Sequence, residues 1–298
     1  MQASGDSPAV GLSFVKFSVV VPCFNAQATL GRQLTALAGQ TEPPFEVIVA
    51  DNGSTDGTVE VARQFGSAFQ RFRLVDAGQR RGVSHARNSG ARVATGDVLA
   101  FCDADDEVAD GWLAGLHRAL LAHDFVASRF DLLKLNESTQ LSHPQQRGLI
   151  CDADFDFLPR AGGCGLAVRR NVHEKVGGFD EGIRFHEDTD YCWKIQLAGH
   201  ELAFAPDALV HVQMRRGSKA RFRQARLWAA AQVVVYKKYR RLGMAKVSNR
   251  EALKDWYRLA RILLRVALSR QVPESLPWRL GTRLGRLQGS LLCLVLLL

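Results

Sequence analysis

The chain has 298 residues, 47% of them hydrophobic and 23% charged, which excludes a disordered or collagen-like chain and suits one large domain or one domain with an appendage. The formal net charge of +9 is unevenly spread: residues 215–286 hold 20 Lys and Arg against 3 Asp and Glu, leaving 19 basic and 27 acidic residues elsewhere. An acidic body with a basic C-terminal segment points to a surface that meets phosphate, on lipid headgroups or on nucleic acid.

The first half alternates short β-rich runs with helical patterns. Residues 17–22 (FSVVVP), 45–50 (FEVIVA), 72–75 and 98–102 read as buried strands, and 26–38, 55–65 and 83–94 as helices between them. That alternation predicts a mostly parallel sheet covered on both faces. Ligands of such sheets bind at the carboxyl ends of the strands. Polar residues collect there, at 22–25, 51–54, 76–81 and 103–106. The stretch 125–160 is less regular. Residues 162–168 read as a glycine-led strand, 170–176 as a short helix, 177–180 as a turn and 187–198 as a helix. Two further strands are expected at 201–205 and 208–212. Three helices follow, over 218–241, 248–269 and 282 to the end, with Ser218 and Ser248 as N-caps.

Residues 1–15 are expected to be flexible, and no basic stretch followed by an apolar run opens the chain as a signal peptide would. The six cysteines lack a Cys-x-x-Cys pair and read as buried thiols of a reducing compartment. The apolar run 291–298 is eight residues long, against about 20 for a spanning helix.

Chemistry concentrates in a few places. Asp103-Ala104-Asp105-Asp106 puts three carboxylates in four residues directly after a strand. They suit a hard divalent cation shared with substrate phosphates; alone, the motif fits a solvated acidic turn as well. Asp51 ends a strand and opens the Gly53 to Thr58 turn, as a contact for a base or ribose or as an ordinary strand–turn–helix connection. Arg87, in a helix opening at Gly82, could bind phosphate, pin the acidic loop, or lie on a helix face. Glu187 and Asp188 open a helix, where a carboxylate can serve as general base or complement the macrodipole. His211, at a strand end, could be a core residue or a metal ligand.

Taken in order, Ser18 to Asn25, Asp51 to Thr58, Gly82 to Gly90, Gly96-Asp97 leading to Asp106, Gly177-Gly178-Phe179-Asp180 and Glu187 to Asp190 resemble the family 2 glycosyltransferases over residues 17–212. The resemblance implies a GT-A fold: an α/β, Rossmann-like nucleotide-binding sheet flanked by helices, here with a basic helical C-terminal extension. It implies a domain over 16–214, with a nucleotide-sugar half (16–106), an acceptor half (107–214) and a basic amphipathic region beyond (215–298). It implies an inverting, single-displacement transfer from a nucleotide diphosphate-sugar, UDP by default, to a glycan or lipid-linked acceptor. Pro22, Asn25 and Asp51 would line the nucleoside site, with Arg87, Asp103 and Ala104 nearby. Asp105, with Asp103 and His211, would hold Mn²⁺ or Mg²⁺, and Asp188 beside Glu187 would be the general base. Processive relatives carry Gln-x-x-Arg-Trp after the catalytic carboxylate; this helix reads Tyr191-Cys192-Trp193-Lys194-Ile195-Gln196, so one sugar per encounter is expected, and Lys194 stands where arginine is frequent.

The aromatic and basic residues beyond 215 suit either an anionic membrane surface or a helical appendage packed on the domain. With a lipid-linked acceptor, the first of these places the protein at the inner face of the plasma membrane, in envelope polysaccharide or glycolipid synthesis; nucleic-acid binding is not expected. Two other readings stay open. A non-catalytic nucleotide-sugar-binding module would have lost a metal or base carboxylate. A sugar nucleotidyltransferase would need a glycine-rich basic loop where Pro22-Cys23-Phe24-Asn25 stands. No G-x-G-x-x-G follows the first strand, which disfavours a dinucleotide-dependent dehydrogenase.

Overall fold

The computed structural model describes residues 15–136, 148–150, 157–215, 217–246, 249–269, 272–273 and 275–294. Parallel strands β1 (Phe17–Cys23), β2 (Glu46–Asp51), β3 (Phe72–Asp76) and β4 (Val98–Phe101) form one half of an eight-stranded sheet. The other half is built by β5 (Glu107–Val108), β6 (Phe125–Asp131), β9 (Leu166–Arg169) and β10 (Leu202–His211), in the overall order β3-β2-β1-β4-β9-β6-β10-β5. Strand β9 runs antiparallel between β4 and β6 and joins the halves. A small hairpin-like pair, β7 (Leu149–Ile150) and β8 (Arg160–Ala161), stands apart from it.

The period of two along each strand divides the core into two layers. Val19, Val21, Val47 and Val49 face helices α1 (Leu30–Ala38) and α4 (Trp112–Leu120), meeting Leu34, Leu37, Trp112 and Leu116. Val20, Ile48, Leu99 and Phe101 face the opposite layer. That side holds α3 (Val83–Val93), α5 (Arg170–Lys175) and α6 (Glu187–Leu197), including the buried Tyr191, Trp193 and Ile195. Helix α2 (Thr58–Gln64) flanks β2.

Helix α7 (Ser218–Arg240) contributes Val233, Tyr236 and Tyr239 to that second layer. Its last turn is fixed to α6 through Asp190, which is fully buried. The Tyr239 hydroxyl donates to Asp190 Oδ1 at 2.9 Å, and Lys238 Nζ pairs with the same oxygen at 2.6 Å. Helix α9 (Leu276–Cys293) lies along α7 on a stripe of Gly281, Gly285 and Gly289. A Cβ at Gly281 or Gly289 would stand 2.6 Å from a carbonyl oxygen of α7, and one at Gly285 would meet the Arg226 carbonyl. Helix α8 (Asn249–Ser269) connects them and is largely exposed. No helix among the described residues is long and apolar enough to cross a membrane.

Several expected elements differ. Helix α1 begins at Leu30 rather than residue 26, because the amides of Asn25, Ala26 and Gln27 donate to Ser54, Thr58 and Asp56 side chains and latch residues 25–27 to the turn before α2. The glycine-led strand is a 3₁₀ turn, Gly163–Gly165, before β9. The two strands expected at 201–212 are one, β10, whose register against β6 shifts between Ala205 and Leu209 around Pro206. Ser218 is the first helical residue of α7 and Gly217 occupies the cap position; Ser248 lies outside the described residues. Helix α9 starts six residues before 282, with Pro277 in its first turn, where the missing N–H has no helical partner to lose. Of the cysteines, Cys23, Cys102, Cys164 and Cys192 are free and buried and Cys293 is free and half-buried; Cys151 lies outside the described residues.

Candidate active site

The carboxyl ends of β1, β2 and β4 open onto one edge of the sheet. At the first, Pro22 is buried in β1 opposite Ala50, and the chain turns at Asn25 with φ 51°, in the left-handed region that asparagine tolerates. Asn25 Oδ1 accepts the Thr55 amide at 2.8 Å. At the second, the Asp51 carboxylate accepts the Gly53 amide at 3.2 Å and the Ser54 amide at 3.1 Å, closing the turn around itself. Asn52 was not singled out from the sequence. Its amide donates to Ala77 and Arg80 carbonyls at 2.6 and 2.8 Å while Oδ1 accepts the Gly82 amide at 2.8 Å, so it shapes the approach to α3.

Beyond β4, the acidic turn divides its side chains. Ala104 is buried in the first core layer. Asp106 is buried and accepts the Gln213 amide at 2.8 Å. Burial, then the charges of Asp103 and Asp105, pushes its carboxyl well above the ordinary range. Asp105 is exposed at the surface of the turn, and the loss of hydration within this crowded loop, then the charge of Asp103, raises its carboxyl. Asp103, Asp106 and Cys164 have ligand atoms within 4.8 Å of one another, a set that leaves out Asp105 and His211. The His211 Nδ1 lies 2.6 Å from Asp131 Oδ2, a pairing that orients the ring across β10 and β6.

Arg87 ties this turn to the other carboxylate cluster. Its guanidinium, 2% exposed, donates to Asp103 Oδ1 at 2.8 Å and to Glu187 Oε1 at 3.0 Å. Burial alone would favour losing its proton; Asp103 and Glu187 outweigh that and hold the cation. Gly163 makes room for it, since a Cβ there would stand 2.6 Å from the Arg87 guanidinium carbon. The Gly163 amide also donates to Asp188 Oδ2 at 3.3 Å, and Asp188 Oδ1 accepts the Thr189 amide at 2.7 Å. Helix α6 starts from His186 at φ 61°, in the left-handed region, and this turn sets Glu187 and Asp188 at its first positions. Burial, then Asp188, lifts the Glu187 carboxyl to about 7 despite Arg87. Lys194 Nζ donates to the Gly178 carbonyl at 2.6 Å, so this cation supports the turn beside the site.

The residues present fit a hard divalent cation. Oxygen donors crowd one turn without enough counter-charge, and their raised proton affinity is relieved by a cation. The Cys164 thiol, pushed up by burial, is the poorest ligand of the set. The density of glycine at 162–165 was the one sequence signal that a backbone passes close to something here.

A mixed sheet with its acidic turn after β4 and a second carboxylate cluster opening α6 is the GT-A fold. The chain aligns with a mannosyltransferase of Pyrobaculum calidifontis, in complex with GDP-Man and Mn²⁺, at TM-score 0.65 and 20% identity over 92% of this chain and 87% of that one. It aligns with TarS of S. aureus, in complex with UDP, at TM-score 0.54 and 21% identity over 72% and 65%. The family model "Glycosyl transferase family 2" matches residues 18–177 and "Glycosyl transferase family group 2" matches 155–298. The chain belongs to glycosyl transferase family 2. It is 30% identical to glycosyltransferase AglE of Haloferax volcanii over 202 residues, 64% of this chain and 65% of that protein. It is also 30% identical to the pre-mycofactocin glycosyltransferase of Mycobacterium tuberculosis over 218 residues, 68% of this chain and 44% of that protein. The chain thus spans between 44% and 65% of the length of these two relatives.

Proposed function

We propose that the protein is an inverting glycosyltransferase. It moves one sugar from a nucleotide diphosphate-sugar, UDP first among the candidates, to an acceptor hydroxyl. Residues 16–106 serve as the nucleotide half and 107–214 as the acceptor half. The observation that carries the reading is Arg87, which holds Asp103 and Glu187 on one guanidinium and so joins the acidic turn to the carboxylates that open α6.

Pro22, Asn25 and Asp51 border the nucleoside, with Asp51 positioned by its own turn. Asp103 and Asp105, with His211 as a further candidate, would hold Mn²⁺ or Mg²⁺, which offsets charge on the diphosphate leaving group. Asp188 takes the proton from the acceptor hydroxyl as that oxygen attacks the anomeric carbon. The hydrogen bonds it accepts from the Gly163 and Thr189 amides fix its direction. Glu187, lifted to about 7 and bonded to Arg87, keeps a second full negative charge from standing beside it in the lower part of the neutral range. An acceptor of envelope polysaccharide or glycolipid synthesis, carried on lipid at an anionic membrane face, fits the basic C-terminal region.

The test is calorimetric titration with UDP, dTDP and GDP, each with Mn²⁺ and with EDTA, on the protein, Asp105→Ala and Asp188→Asn. One nucleotide binding in a metal- and Asp105-dependent way, with Asp188→Asn binding normally but not turning over, is expected. No binding under any condition sinks the donor site and brings the non-catalytic module forward.

A further inference from the structure

Helix α8 carries a face that the fold leaves uncovered. Leu253, Tyr257, Leu264 and Leu268 recur at helical spacing and are 60, 66, 62 and 80% exposed. At about 100° per residue they fall on one stripe, with the exposed Ala260 between them. Leu259 is buried, so the helix already has a separate seat on the protein. Lys254, Arg258, Arg261 and Arg265, each one residue beyond an apolar position, form a second stripe about 100° further round the helix that flanks the first. Arg261, Leu264, Arg265, Leu268 and Ser269 line a shallow groove where the two stripes meet.

We infer that α8 docks the protein on an anionic lipid surface, lying in the plane of the headgroups. This gives the membrane contact proposed above a single element, and it rests on no part of the catalytic reading. Large apolar side chains this exposed in water gain by entering the acyl boundary, while Arg261 and Arg265 beside them meet lipid phosphates at headgroup depth. Charge complementarity selects the occupant. The region 215–286 carries 20 Lys and Arg against 3 Asp and Glu, so this end of the protein favours an anionic surface and opposes face-to-face pairing with the same region of a second copy. No helix among the described residues can span a bilayer, which leaves the in-plane orientation.

The test is vesicle co-sedimentation of the full chain. Equimolar phosphatidylglycerol–phosphatidylcholine vesicles are compared with pure phosphatidylcholine, at low and high salt. Strong, salt-sensitive binding to the anionic vesicles is expected. Arg261→Gln with Arg265→Gln should weaken it about 25-fold, at roughly fivefold per cation. Leu264→Glu with Leu268→Glu should weaken it at least as far. Both pairs should keep the parent's melting profile and nucleotide titration. If the double glutamate variant does not fold, Leu268→Ser, at the most exposed position of the stripe, replaces it and should still weaken binding. Absence of binding, equal binding to neutral vesicles, or variants that bind like the parent would overturn the inference. So would a concentration-dependent dimer that Leu264→Glu dissolves, which would assign the face to a second copy. Nucleotide binding is measured without vesicles, so a failed donor site and a failed docking face give different results.

Discussion

Replacing Arg87 with methionine tests whether the two carboxylate clusters depend on one cation. The change keeps most of the side-chain volume and removes the charge. In the parent, Arg87 is 2% exposed and its ion pairs are 2.8 and 3.0 Å long. Methionine leaves Glu187, 12% exposed, facing Asp188 without compensation. Breaking a buried pair from one side costs about 3–5 kcal/mol. Asp103 is one-third exposed and water screens its share, so the lower end applies, about 3 kcal/mol. At about 2–4 °C per kcal/mol for a domain of this size, the melting temperature should fall by about 6–12 °C near pH 8. The pH dependence identifies the cause. Burial and Asp188 already lift Glu187 to about 7, against 4.5 ordinarily, and losing Arg87 lifts it further. A carboxyl whose folded value lies above its unfolded one binds more protons when folded. Its cost is therefore absent below the unfolded value, grows as pH rises through the window, and is full above the folded value. Melting followed by circular dichroism should show a clearly smaller gap between parent and variant near pH 5.5 than near pH 8, and Arg87→Met with Glu187→Gln should recover part of the loss. A gap that is the same at both pH values, or a fall of less than about 3 °C near pH 8, would refute the electrostatic argument.

Three further outcomes are expected. His173, its Nδ1 2.7 Å from the Tyr191 hydroxyl, is pushed down to about 4 by burial and then by Lys194, against 6.5 ordinarily. Folding excludes its proton, so about 3 kcal/mol present above pH 6.5 is lost as pH falls toward 4, and denaturant titrations of His173→Asn should show a flatter acid limb than the parent. Gly285→Leu drives a side chain into the Arg226 carbonyl and should cost at least about 1–3 kcal/mol; hydrogen exchange should reveal lost protection in α9, and unchanged protection would contradict the close packing. Tyr239→Phe removes the hydroxyl bound to Asp190, whose Oδ2 already has no partner, and should cost about 1–3 kcal/mol by urea unfolding.

The sequence made the β-rich first half readable because β1, β2 and β4 are buried on both faces and each carries a run of consecutive apolar residues, Val19–Val21, Val47–Ala50 and Val98–Phe101. Where glycine or proline serves packing, the pattern misled. Helix α4 was not anticipated: Gly115 breaks its pattern, yet a Cβ there would stand 2.6 Å from the Ala208 nitrogen, so the glycine is what lets the helix lie on β10. The same holds for α9, whose stripe of glycines lowers helical propensity while permitting its seat on α7. At the site, individual carboxylates were legible as local clusters. Their union was not, because Arg87 meets partners 16 and 100 residues away. The pairing of His211 with Asp131 spans 80 residues and was equally out of reach of a local pattern.

The basic C-terminal region shows why a charge count is an incomplete guide to a surface. Lys238 is spent on Asp180 and the buried Asp190. Lys237 donates to the Cys293 carbonyl, Arg226 to Gln288 and Arg286 to Gln232. These cations of α7 and α9 hold the helices to one another and to α6. Asp190, three residues after Glu187 on the same helix, is their anchor point. The carboxylates that open α6 and the helices beyond residue 215 are therefore braced through one short element. On α8, by contrast, Arg261 and Arg265 lie beside exposed apolar side chains on the outer surface. The sequence treats all of these arginines and lysines alike; packing divides them into those that assemble the protein and those that face outward.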